Sequence, residues 1–216
     1  MTTDVVIYGG GGFAREVAWL VDSMPEAKMK VVCFIDDNQK TAGSFLNEIP
    51  VYSLKTAWEL FPNARIISGI GSPMTRELVM NKARKLGFEC LSLIHPNVEL
   101  SKWVEIGAGV VICAGSILTT NIKLHDHVQI NLDCTIGHDV IMGEYTTLAP
   151  GVHVSGNVHL GNRVYIGTGA NIINGSEDNP LIIADDAVVG AGACVVRDVP
   201  SGDTVVGVPA KSIKGR

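Results

Sequence analysis

A six-residue period constrains this chain more than any other feature. From Leu100 to Ile172 every sixth residue is aliphatic, through Ile106, Ile112, Leu118, Leu124, Ile130, Ile136, Met142, Leu148, Val154, Leu160 and Ile166. Four places after each anchor stands a small or β-branched residue, from Val104 and Val110 through Cys134 and Thr146 to Ala170 and Ser176. A helix repeats every 3.6 residues and a strand every two, so neither generates a period of six. A hexapeptide β-helix does: each hexad is a short strand plus a turn, and three hexads close one triangular coil. Anchors then stack on their equivalents one coil away, at a strand spacing of about 4.8 Å. Gly, Asn and Asp recur between anchors, where corners call for positive φ. Such prisms wind left-handed, against the usual crossover rule.

The repeat breaks once. After Ile172 the next anchors in phase are Ile183, Val189 and Val195, so the segment 175–179 reads as a loop inserted into a coil, with Pro180 returning to the strand. After Val199 the chain leaves the prism through Gly207-Val-Pro-Ala-Lys211, which caps its open end.

Ahead of the prism the pattern is different. Asp4–Tyr8 is a buried-strand candidate and Gly9–Gly12 a glycine turn. Phe13–Asp22 is a helix with Phe13, Val17, Leu20 and Val21 on one face. Strands follow at Lys30–Ile35, Arg65–Ile70 and Glu89–Ile94, with a helix over Thr75–Leu86 closed by Gly87. This alternation predicts a small parallel Rossmann-like sheet over residues 1–95, and His95-Pro96 punctuates its end. The expected architecture is an α/β N-terminal domain followed by a left-handed parallel β-helix over 96–216.

Composition excludes several classes. The chain of 216 residues has a net charge of −5 and no basic cluster, which argues against nucleic acid. It holds no apolar run of membrane-spanning length and opens straight into a strand, without a signal peptide. The five cysteines are scattered and form no CxxC pair, so they read as buried apolar residues in a reducing cytoplasm.

Three motifs carry chemistry. Gly9–Gly12, at a strand-to-helix turn, lets backbone N–H groups approach a phosphate. The third glycine of a dinucleotide fingerprint is Ala14 here, so nucleotide recognition is favoured over redox chemistry. Asp36 and Asp37 end the second strand, where acidic residues meet a ribose or base; as acceptors they suit uracil, thymine or guanine. Ile136-Gly-His-Asp139 places an imidazole beside a carboxylate, a base with an orienting partner. His138 stands two places past its anchor, at an outward corner. His125 and His127 form HxH without a third ligand at metal-binding spacing, so no metal is expected.

Together these motifs resemble the hexapeptide acyltransferases of the sialic-acid O-acetyltransferase type. The resemblance is strongest to the nucleotide-amino-sugar N-acetyltransferases of the bacillosamine-pathway kind, and it covers the whole chain. It implies a homotrimer with acetyl-CoA between adjacent prisms, and His138 as general base with Asp139 as its partner, where many relatives carry Glu. It implies Asn131 lining the site, and Gly10, Gly11, Gly12, Phe13 and Ala14 at the sugar nucleotide's diphosphate, with Asp36 and Asp37 near its base. It assigns Gly143, Gly156, Thr168 and Ala191 to the acyl and pantetheine region, and Gly207, Pro209 and Lys211 to the adenine end. Thr147 stands where relatives place a second CoA-site histidine, and Gly11 and Phe13 stand where relatives often carry serine and histidine. The expected reaction is direct acetyl transfer to the amine of a UDP-, dTDP- or GDP-linked amino sugar, with a backbone N–H of Gly143 or Gly156 facing the oxyanion. The rivals are O-acetylation of a sugar hydroxyl and a non-catalytic trimeric scaffold.

Overall fold

The computed structural model describes residues 2–38 and 43–213, so the basic end at 214–216 lies outside the described residues. The chain divides into two compact units, residues 1–96 and 97–216.

In the first unit, strand β1 (Thr3–Tyr8) runs into helix α1 (Gly12–Asp22) and strand β2 (Met29–Ile35). A short β3 (Phe45–Leu46) and β4 (Ile49–Tyr52) form a hairpin, followed by α2 (Leu54–Leu60), β5 (Arg65–Ser68), α3 (Pro73–Leu86) and β6 (Glu89–Cys90). The sheet order is β3-β4-β2-β1-β5-β6, parallel except for the β3/β4 pair. The chain leaves β1 towards β2 on one side and returns at β5 on the other. That reversal opens a crevice at the carboxyl end of β1, the usual place for a ligand in an open α/β sheet.

Local chemistry explains the elements. Ala14, Val17, Ala18, Leu20 and Val21 of α1 are buried, a helical stripe facing the sheet, while Trp19 on the opposite side is exposed. The helix lies unusually close to β5. A Cβ placed on Gly69 would sit 2.4 Å from the Cα of Ala14, so the contact requires a glycine on one side and a small residue on the other. Ser53 caps α2 by accepting the Thr56 N–H at 3.2 Å. The third helix starts two residues earlier than expected because Pro73 stands near its start, where its fixed φ fits and its missing N–H is not needed. Gly87 ends that helix in the left-handed conformation at φ 105°. The strand expected over 65–70 stops at Ser68. The one expected over 89–94 pairs with β5 only as far as Cys90, and residues 93–94 leave that sheet.

The second unit is the prism, a left-handed β-helix. One face stacks the two-residue strands at 99–100, 117–118, 135–136, 153–154, 171–172 and 194–195, all parallel. A second face carries 104–106 to 181–183, and the third 111–112 to 204–206, closed by an antiparallel strand at 211–212. Partners are 18 residues apart in the early coils, as in Leu118 and Ile136, and 23 apart across the insertion, as in Ile172 and Val195. The anchors from Ile112 to Ile172, then Ile183, Val189 and Val195, are all buried. The first coil departs from the pattern: Leu100 is 39% exposed and Ile106 only half-buried. Ser176 is not inside either, because it belongs to the inserted loop. Leu181 takes its place, pairing in register with Val158.

The corners follow the same clock. Three places past an anchor the backbone is left-handed, at Gly109, Gly115, Asn121, His127, Asp133, Asp139, Tyr145, Gly151, Asn157, Arg163 and Gly169. Glycine and asparagine tolerate this conformation best. Where bulkier residues occupy it, neighbouring coils brace them. His127 stacks on Tyr145 with ring centroids 4.8 Å apart, and Arg163 makes a bidentate pair with Asp186 at 2.7 and 2.9 Å. His127 is therefore buried while His125 is not, so the HxH pair does not converge.

All five cysteines are free thiols. Cys33, Cys113 and Cys134 are buried, and burial pushes Cys33 up to about 12 and Cys134 to about 11. Cys90 and Cys194 are only half-buried, against the expectation for the full set. No helix among the described residues is long and apolar enough to cross a membrane.

Candidate functional site

Each unit holds a site of its own. In the α/β unit a groove of about 550 Å³ opens at the carboxyl end of β1, lined by Gly9–Gly12, Phe13, Asp36, Asp37, Ile70 and the α3 side chains Thr75 and Lys82. The turn that builds it is held by Gly9, whose N–H donates to the Ile35 carbonyl at 2.9 Å. Helix α1 opens at Gly12 with no side-chain cap and no acidic residue in its first turn. Its free N–H groups and positive dipole end therefore face the groove. Arg76 forms the opposite support. Its buried guanidinium donates to the carbonyls of Ile70 and Gly71 at 2.8 and 3.3 Å, holding the loop after β5.

The residues expected here divide in use. Asp36 faces Gly10, with an oxygen 2.8 Å from where a Gly10 Cβ would stand, and its other oxygen accepts the Asn38 N–H at 2.9 Å. Asp37 is committed internally. One oxygen accepts the Tyr8 hydroxyl at 2.6 Å and the other the Leu54 N–H at 3.1 Å. Burial, reinforced by that bond to Asp37, pushes the Tyr8 hydroxyl well above its ordinary value, so it remains a donor. Asp37 thus lines the groove and at the same time ties β1 to the start of α2. Ala14 is fully buried against Gly69, so its side chain does not reach the groove.

In the prism the site is built on a corner. His138 and Asp139 are about half exposed, with side chains 56% and 46% accessible. The His138 Nδ1 lies 2.7 Å from Asp139 Oδ2, and Asn121 Nδ2 donates to Asp139 Oδ1 at 3.2 Å. The bond to His138, seconded by Asn121, holds the Asp139 carboxyl below its ordinary 3.8. An ionised carboxylate only accepts, so Nδ1 carries the hydrogen and Nε2 keeps its lone pair. The ring lies over Gly156, one coil on. A Cβ there would stand 2.4 Å from Nε2, so any other residue would displace the imidazole. The Gly156 N–H donates to no partner among the described residues, whereas its carbonyl accepts the Gly175 N–H.

Asn121 was missed in the sequence. Its signal was the coil length itself, since it precedes Asp139 by 18 residues and shares its left-handed corner. The groove beside His138, about 480 Å³, also takes in Asn157, His159 and Glu177, none of which any motif flagged.

The remaining expected residues are spread over three corners. Gly156 shares the corner of His138. Thr168 and Ala191 are exposed at another, where the Gly192 N–H donates to the Thr168 carbonyl. Gly143 is at the third, buried, with its N–H given to the Leu160 carbonyl at 2.8 Å, which removes it as an oxyanion donor. Thr147 is buried in a strand of the third face. Asn131 is 7% exposed and braces its coil, donating to the Leu148 carbonyl at 2.7 Å while its own carbonyl accepts the Ser116 hydroxyl. Gly207 turns the C-terminal hairpin at φ 90°, the Val208–Pro209 bond is cis, and Lys211 is exposed beside a cavity of about 330 Å³ that also reaches Arg197.

Residues 4–83 match the family described as the PglD N-terminal domain. Among curated proteins no match is found. Solved structures match along nearly the whole chain. WeeI from Acinetobacter baumannii AYE is 35% identical, covering 98% of this chain and 100% of its own, with a TM-score of 0.88. The acetyltransferase domain of PglB from Neisseria gonorrhoeae FA1090, in complex with acetyl coenzyme A, is 31% identical over 99% and 100%, with a TM-score of 0.88. A mutant of perosamine N-acetyltransferase from Caulobacter crescentus, in complex with CoA and GDP-perosamine, is 30% identical over 99% and 97%, with a TM-score of 0.87. A nucleotide-type groove, a histidine–carboxylate corner on a hexapeptide prism, and relatives that match from end to end lead to one statement: the chain belongs to the hexapeptide-repeat sugar N-acetyltransferases.

Proposed function

We propose that the protein transfers an acetyl group from acetyl-CoA to the amine of a nucleotide-linked amino sugar, with His138 as general base. The observation that carries the reading is the Asn121–Asp139–His138 chain over Gly156, which fixes the ring and leaves Nε2 as its open acceptor. The Caulobacter relative, held with CoA and GDP-perosamine, and the Neisseria relative, held with acetyl coenzyme A, support the same pair of substrates.

An amine attacks a thioester only when neutral. His138 Nε2 takes the proton as the C–N bond forms, and Asp139 stabilises the resulting imidazolium. The Gly156 N–H is the backbone donor left for the oxyanion. The C–S bond then breaks, and the imidazolium returns its proton to the departing thiolate. Among the described residues no serine or cysteine side chain bonds to His138 in the way an acyl carrier would, and direct transfer follows.

The glycine turn at Gly10–Gly12, the α1 N-terminus and Lys82 would receive the diphosphate, with Phe13 alongside and Asp36 facing the base. In the prism, Thr168 and Ala191 would run beside the pantetheine arm of acetyl-CoA, and Gly207, Pro209 and Lys211 beside its adenine end. Because His138 and Thr168 stand at different corners of one prism, a complete site needs two prisms, which favours a homotrimer working in the cytoplasm. The test is an acetyl-CoA assay against a panel of UDP-, dTDP- and GDP-linked amino sugars. Acetylation of at least one is expected; activity on none, with activity on free sialic acid, would replace N-transfer by O-transfer.

A further inference from the structure

We propose that Glu177, carried by the inserted loop, is the residue that receives the acceptor's ammonium group. The proposal rests on the amino-sugar N-acetylation inferred above and assigns a purpose to the one break in the repeat.

The prism does not need residues 175–179, since its strands pair in register on either side of them. The insertion is nevertheless tied down. The Gly175 N–H donates to the Gly156 carbonyl at 3.1 Å and the Leu181 N–H to the Asn157 carbonyl at 3.0 Å. Those two carbonyls belong to the glycine beneath His138 and to its neighbour. Between the anchors, Ser176 and Asn179 exchange backbone hydrogen bonds at 3.0 and 3.1 Å, which closes a tight hairpin. Its tip is Glu177-Asp178, and Glu177 joins His138, Asp139, Asn157 and His159 in lining the same groove. The Gly175 bond is the regular coil-to-coil bond of this corner, as from the Asn157 N–H to the His138 carbonyl, so the prism itself holds the hairpin against the coil of His138.

Charge then selects the ligand. The groove lining contains two carboxylates and two imidazoles but no lysine or arginine. Such a surface repels phosphate and favours a cation. Both Asp139 oxygens are already engaged, by His138 and by Asn121. Glu177 has no hydrogen bond or ion pair among the described residues, so its oxygens are available. An alkyl amine reaches the site largely as ammonium near neutral pH. A charge-assisted hydrogen bond to Glu177 would hold it beside His138 Nε2; one proton leaves to solvent, and the neutral amine then attacks while Nε2 takes the second. A hydroxyl acceptor carries no charge and would gain little from this carboxylate, so Glu177 also favours nitrogen over oxygen as the nucleophile.

The test is steady-state kinetics on the full-length protein with whichever amino sugar the wild type acetylates. Glu177→Gln is expected to raise KM for that sugar about tenfold while KM for acetyl-CoA and kcat move less than about twofold. Glu177→Asp should recover part of the loss. Added salt should raise the sugar KM of the wild type more than that of Glu177→Gln. An unchanged sugar KM in Glu177→Gln, or an equal rise in both KM values, would overturn the assignment while leaving N-acetylation standing. A wild type that acetylates no amine would remove both.

Discussion

Two short stretches of this molecule look alike on paper and work differently. Ile35-Asp36-Asp37 and Ile136-Gly-His138-Asp139 each place polar residues just past a buried isoleucine at a strand end. In the α/β unit both neighbours line the groove, but they differ in partners: Asp36 faces Gly10, while Asp37 is locked between Tyr8 and Leu54. In the prism the two neighbours bind each other, and the carboxylate's second oxygen goes to Asn121. In a parallel sheet, crossover loops return beside a strand end and can absorb a carboxylate into the framework. A prism corner has only the coils on either side of it, so its polar residues turn to one another and to solvent. The second arrangement suits a base; the first suits the wall of a groove.

The contrast breaks most visibly in turnover. His138→Ala should lower kcat by about 10²–10⁴-fold, the usual contribution of a positioned base, with KM for acetyl-CoA little changed. An unaffected kcat would return the corner to ordinary surface. Next comes packing in the α/β unit. Gly69→Val should displace α1, because even a Cβ at that position meets the Ala14 Cα at 2.4 Å. Overpacking of this kind costs about 1–3 kcal/mol, read as a lower denaturation midpoint, and should come with a higher KM for the nucleotide sugar. A variant as stable as the wild type would show that α1 does not lean on β5.

The two aspartates of the groove separate on a finer scale. Asp37→Ala leaves the part-buried Tyr8 hydroxyl and the Leu54 N–H without their acceptor, a loss of about 1–3 kcal/mol in unfolding free energy. Asp36→Ala should instead raise the KM for the nucleotide sugar and hardly move the melting temperature. If the two variants behave alike in both assays, the division of labour is wrong. The smallest effect is electrostatic. The Asp139 pKa is depressed on folding, so its contribution to stability is present above the unfolded value and lost as pH falls through the lower folded one. The melting-temperature difference between wild type and Asp139→Asn should therefore be present at neutral pH, begin to shrink below 3.8 and vanish once the pH is below the lower folded value. A difference that persists in stronger acid would mean that Asp139 acts through packing.

Much of the prism was legible because its periodicity is longer than anything local. One hexad fixes an inward anchor, and three fix a coil, so buried residues such as Ile130 and Leu148 follow from counting. Counting also reaches Asn121 once the coil length is taken seriously. Counting could not give the direction of an N–H, which is why Gly143 was expected to face an oxyanion when it pairs with Leu160. Asn131 shows a related limit: an amide on a coil serves equally as site lining or as a brace between coils, and only the structure shows the brace to the Leu148 carbonyl. The α/β unit was less legible. Its strands announced themselves by apolar runs, but the hairpin at 45–52 and the helix at 54–60 are short and lack a strong apolar period. Asp37 reads as a ligand in any strand-end pattern. Only the return of the chain at Leu54 shows that it is also a strut.

The coil is also a ruler. His138, Gly156, Asn174 and Arg197 each stand two places past an anchor of the same face. Three rungs at about 4.8 Å each therefore set the distance from the base to the basic end of the prism. Deleting one coil of 18 residues between them would keep every corner in phase yet shorten that distance by a single step. The length of the prism beyond His138 is thus set in discrete units, and evolution or engineering can change it without redesigning the corner that holds His138 and Asp139.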